Sequence, residues 1–170
     1  MTERDAPEPW LRGTLTEVPA VPRAVLHSLE LAKEDMVRWC ADLTDEQLNA
    51  RPAGIAPVAF HLRHIARSLD RLLTYAEGKQ LSGEQITALA SELEAGATAS
   101  QLFSEFTLAL NDGATRIRAL DPAGLDEPRK VGKRKLPTTV GGLLVHVADH
   151  TQRHVGQAVT TAKIVAVRRS

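Results

Sequence analysis

Four long stretches of this chain repeat apolar residues three and four apart, and almost nothing alternates with the period of two that a strand requires. After Pro22, residues Leu26, Leu29, Met36, Val37, Cys40 and Leu43 recur at helical spacing and predict a first long helix over about residues 20–42. The stretch "APVAFHLRHIARSLDRLLTYAE" predicts a second over about 56–77, with Pro57 in its first turn and Gly78 as its stop. Its apolar stripe is Leu62, Ile65, Leu69, Leu72 and Ala76. A third helix over about 98–120 uses Leu102, Phe103, Phe106, Leu110, Ile117 and Leu120. The last starts after Thr138 or Thr139 as cap and runs to about 165.

The pieces between these helices carry their own signals. Thr44 with Gln47 three residues later is a capping-box pattern, so a short helical turn starts there and stops before Pro52. Ser82 is placed to cap a smaller helix, "GEQITALASELEA". Residues 121–137, broken by Pro122 and Pro128, read as a loop with a short extended piece. Residues 1–19, with prolines at 7, 9 and 19, read as an irregular arm, and Trp10 and Leu11 are expected to dock it. These signals predict an all-α chain: a single four-helix-bundle domain over residues 1–170, its core over 20–165.

Bulk properties narrow the function. Lys+Arg and Asp+Glu both number 21, so the formal net charge is zero, whereas nucleic-acid binders carry a basic excess. The one local exception, "RKVGKRK" at 129–135, reads as a solvated basic loop. One cysteine, Cys40, forms no internal disulfide and sits in an apolar helical pattern, as a small buried hydrophobe would. "MTERDAPEPW" has no apolar signal-peptide core, and no stretch is apolar for the length of a bilayer. A cytoplasmic protein with neither membrane nor nucleic-acid partners is expected.

Half of the six histidines fall within nine residues: His146, His150 and His154. Residues four apart on a helix stand on neighbouring turns, with Cβ atoms about 5–6 Å apart, so His146 with His150, or His150 with His154, can converge on one ion. All three cannot, because the outer two lie about 12 Å apart along the axis. A metal with an open position wants three protein ligands. The second long helix offers His61, nearer the centre of its apolar stripe, and His64, at the stripe's edge. One of these with a pair from the last helix completes a three-histidine site. His27 stands alone and reads as an ordinary core histidine. No Glu-x-x-His and no His-Glu-x-x-His occurs, which leaves a di-iron carboxylate centre and a zinc-protease centre without support.

"LTDEQLNARPAGIAPVAFHLRHI", residues 43–65, resembles the link between the first two helices of the DinB-like four-helix bundles. "LLVHVADHTQRHVGQ" resembles that family's other hallmark, a His-x-x-x-His pair followed by Gly-Gln, here His150, His154, Gly156 and Gln157. The similarity covers about residues 20–165. Many members carry Trp-Ser where this chain has Ala56 and Pro57, and His146 is outside the common pattern. The resemblance implies up-down-down-up winding and a divalent metal, nickel or zinc, on His64, His150 and His154, with His61 in reserve or supporting a ligand.

A three-histidine metal with an open position lowers the pKa of bound water to about 7 and can hold a thiolate. The expectation is a metal-dependent enzyme acting on a small molecule, either a hydrolase or a transferase of a low-molecular-weight thiol. The alternative is a non-catalytic metal-binding or structural stress-response bundle. Tyr75 and Asp149 are the candidate neighbours for proton transfer. A homodimer is expected to pack through the small face of Ala109, Gly113 and Ala114.

Overall fold

The computed structural model describes residues 6–167; the first five residues of the arm and residues 168–170 lie outside the described part. The helices are α1 (Ala20–Cys40), α2 (Asp45–Asn49), α3 (Val58–Ala76), α4 (Gly83–Ala90), α5 (Ala99–Ala119) and α6 (Val140–Val167). Strands β1 (Pro128–Val131) and β2 (Leu136–Thr139) pair antiparallel between α5 and α6. This hairpin is the extended piece expected there.

Local chemistry sets the helix ends. Thr44, Ser82 and Thr98 each form a capping box with a glutamine three residues on, which satisfies two N–H groups the first turn leaves unpaired. Thr139 Oγ1 accepts from the Gly142 N–H and so caps α6. α3 ends where Gly78 turns left-handed at φ +76°, and the N–H groups of Gly78 and Lys79 return to the carbonyls of Tyr75 and Thr74. Pro57 is extended (ψ 158°) and precedes α3 rather than entering its first turn.

α1 and α6 pack together, α6 also meets α3, α3 meets α5, and α5 closes the ring against α1. Directions follow from bonds between helices. Ser28 near the start of α1 meets Ala148 and Gln152, while Gln47 just beyond its end meets Val165, so α1 and α6 run parallel. Thr161 bonds Ala56 and His64 faces His150, so α3 opposes α6. Arg67 bonds Glu105 and Glu77 bonds Arg116, so α5 runs with α3. The winding is therefore up-down-down-up, as the family resemblance implied. Parallel neighbours α3 and α5 need a return path, and the segment carrying α4 supplies it.

The core gathers Leu29 and Met36 of α1, Leu62, Ile65, Leu69 and Leu73 of α3, Phe106 and Ile117 of α5, and Leu144 and Val155 of α6. Each such side chain contributes about 1.5–3 kcal/mol on burial. Leu73 rather than Leu72 is fully enclosed, and Val37 of the expected first stripe faces outward, 51% exposed. Gly113 lies where a Cβ would come within 2.6 Å of the Leu69 side chain. The small residue expected on a dimer face thus serves the close approach of α3 and α5.

The arm docks differently from expectation. Trp10 and Leu11 are 61% and 57% exposed, whereas Pro9 is buried and Leu15 and Val18 pack against the core. Arg12 ties the arm to α1 through Glu30 and Glu34. The basic segment is partly structural too: Arg129 donates to the Ala76 carbonyl and pairs with Glu127.

Candidate metal centre

His64 and His61 lie in the first two turns of α3, and His150 and His154 lie one turn apart on α6. Because α3 and α6 are antiparallel neighbours, both pairs face the same seam. One ring nitrogen each from His64, His150 and His154 lies within 4.8 Å of the others. The ring centroids are 4.3 Å apart for His64 and His154, 4.6 Å for His150 and His154, and 4.9 Å for His64 and His150. His64 Nε2 and His150 Nε2 are 3.2 Å apart. Two nitrogens at about 2.0–2.1 Å from a tetrahedral zinc ion stand about 3.3 Å from one another, so the His64–His150 pair already has the spacing such an ion needs, with His154 within 4.8 Å of both.

The outer nitrogens decide which lone pairs face inward. His64 Nδ1 lies 2.6 Å from Glu92 Oε2. An ionised carboxylate only accepts, so the proton sits on Nδ1 and the Nε2 lone pair points to the seam. His154 Nδ1 is 3.0 Å from His61 Nδ1, so the nitrogen of His154 left without that contact is Nε2. His150 Nδ1 is buried without a hydrogen-bond partner. Phe60 stacks on His64 with centroids 5.1 Å apart.

Burial, with neighbouring histidines and Arg153, pushes His150 down to about 4. Burial also takes His154 to about 4, together with His64 and Arg153, against the pull of Glu92. His61 falls to about 4 through burial and then through His154 and His64. These imidazoles are therefore neutral at pH 7, the form that binds a cation. Burial alone would raise the Glu92 carboxyl, but hydrogen bonds from His64 and Arg71 outweigh it and hold the group below the usual carboxylate range.

A family model for the DinB superfamily matches residues 28–158, a span that contains both histidine pairs. The chain belongs to the DinB superfamily. None of the curated proteins compared with it matches. The superfamily is metal-binding, and in this DinB bundle the triad that comes together is the one its resemblance implied. His61, favoured by its angle on α3, supports His154 instead of joining the triad. His146 has a side chain 47% exposed, meets the His150 ring edge-on and lies 3.9 Å from Asp149 Oδ2. His27 is a core histidine bonded to Thr14, and Cys40 is fully buried with its thiol pushed up to about 12 by desolvation and then by Asp35.

Neither residue expected to neighbour the site does so in this DinB bundle. Asp149 turns to Arg153 and His146. Tyr75 follows His64 by three turns of α3, about 16 Å along the axis. Glu92 was not visible in the sequence as a site residue. The smaller helix expected through "GEQITALASELEA" stops at Ala90, so Glu92 sits in the turn after α4, and only the return of that segment against α3 brings it to His64. Two surface hollows, of about 500 Å³ beside α4 and about 290 Å³ beneath the arm, are lined by other residues. No helix among the described residues is long and apolar enough to cross a membrane.

Proposed function

We propose that the protein is a metal-dependent enzyme, a hydrolase or a transferase of a low-molecular-weight thiol, with His64, His150 and His154 holding one divalent ion, nickel or zinc. The convergence of three ring nitrogens at a half-buried position carries this reading. Three protein ligands leave a coordination position for water or a small molecule, and all three histidines are only partly buried. When bound there, the ion supplies Lewis-acid chemistry to a water or a thiolate. The chain's own residues hold the ligands: Glu92 fixes His64, His61 fixes His154, and Phe60 covers one face of His64. A zero net charge suits a small-molecule substrate better than a nucleic acid. The cytoplasm, with its reducing thiols, suits a chain with a single buried cysteine.

One observation favours a non-catalytic metal-binding bundle instead. Glu92, the carboxylate in contact with the triad, is already engaged by His64 and Arg71, and Asp149, the one expected beside it, by Arg153. No general base is assigned. The deciding experiment is elemental analysis of untagged protein reconstituted with nickel or zinc, beside His154→Ala. About one ion per chain in the wild type and little in the variant is expected. Equal, substoichiometric metal in both would end the metal reading. Turnover of activated esters or of electrophiles with small thiols, lost in His154→Ala, would then separate enzyme from passive binder.

A further inference from the structure

Glu92 is the least expected member of this region. It is a carboxylate only 6% exposed, carried by the connection between α4 and α5, which matches neither histidine motif. A buried carboxylate without partners is costly, so its surroundings need explaining. Arg71 Nη1 donates to its Oε1 at 2.8 Å, and His64 Nδ1 donates to its Oε2 at 2.6 Å. Both oxygens are occupied, and Arg71 balances the charge. Arg71 lies two turns beyond His64 on α3, so the carboxylate is clamped along that helix from two points.

We propose that Glu92, held by Arg71, is a positioning residue that sets the tautomer and ring orientation of His64, and through them the grip of the site on its cation. This rests on the metal reading above for its consequence, though not for its geometry. An imidazole in water is free to carry its proton on either nitrogen. With the proton on Nε2, His64 would present N–H to the seam and could not ligate there. Glu92 removes that choice by accepting from Nδ1. It also makes the imidazole a stronger donor, since partial negative charge flows towards the ring when a carboxylate takes its proton in a hydrogen bond. His154 has only a neutral partner in His61, and the Nδ1 of His150 has none. The three ligands are thus unequally anchored, with His64 the fixed member against which the α6 pair closes.

The test uses metal-free, ¹⁵N-histidine-labelled protein at pH 7.5, followed by zinc titration against a chromophoric chelator. In the wild type the His64 signals should report a proton on Nδ1. In Glu92→Ala they should move towards the Nε2-protonated form. Zinc affinity should fall about 10–100-fold in Glu92→Ala, the usual loss when such an outer carboxylate is removed. Glu92→Gln keeps the volume and one acceptor oxygen while removing the charge, so it should stay folded and lose a smaller but measurable part of the affinity. A wild-type His64 protonated on Nε2 would overturn the proposal. So would zinc affinities of both variants within threefold of wild type. If the wild-type chain binds no zinc at all, the metal reading fails, while the tautomer measurement still decides the role of Glu92.

Discussion

Acidifying the metal-free protein should cost it stability between about pH 6.5 and 4. His61, His150 and His154 each hold a pKa of about 4 in the folded chain, against an ordinary value of 6.5. Between those values the unfolded chain binds protons that the folded chain refuses. Stability therefore falls as pH drops from about 6.5 towards 4 and is flat above that window. For His61, 2% exposed, the cost at pH 5 is about 2 kcal/mol, following the 1.36 kcal/mol carried by each pKa unit. His150 and His154 are half-buried, and solvent screening reduces each to about 1 kcal/mol. A loss of about 4 kcal/mol is a large part of the ~5–15 kcal/mol that holds a domain together. Glu34, Glu77 and Glu92 have carboxyls held below their ordinary value, so their contributions disappear only at still lower pH. Urea unfolding with chelator present, at pH 8, 6.5 and 5, measures the loss directly. His61→Gln should shrink it by about half. A wild-type loss under about 1 kcal/mol at pH 5, or an undiminished loss in His61→Gln, would refute this account of the acid response.

Other outcomes follow from the same contacts. Leu69→Ala should cost about 2–5 kcal/mol, and adding Gly113→Ala should restore at least 1 kcal/mol of it, because the new methyl enters the space Leu69 vacates; simple additivity in urea unfolding would contradict that packing. Gly78→Ala should destabilise by about 1 kcal/mol, since φ is +76° there while the space itself is open enough for a methyl, and thermal unfolding reads it. Saturating zinc at 100 times its dissociation constant should stabilise the wild type by about 2.7 kcal/mol and leave His64→Ala nearly unmoved; equal shifts would place the ion elsewhere. Thr98→Ala removes the side-chain cap of α5 and should cost about 1 kcal/mol in the same assay.

The sequence alone determined the four long helices and most of their ends, because helical periodicity, capping boxes and a terminal glycine are interactions within a few residues. It also determined that histidines would cluster, since His150 and His154 share a helix face by spacing alone. Choosing His64 over His61 was beyond periodicity, because both lie near the buried stripe and only the rotation of α3 against α6 selects one; there the family pattern, not the angle, agreed with the structure. The same holds for the arm, where the large apolar residues Trp10 and Leu11 stay outside and smaller ones dock. Glu92 belonged wholly to tertiary structure. A glutamate in a polar turn carries no local mark of burial, and its two partners, 21 and 28 positions away, meet it only when the α4–α5 connection folds back across α3. Local rules write the helices, whereas the orientation of a candidate ligand depends on contacts between segments that the chain brings together only once it has packed.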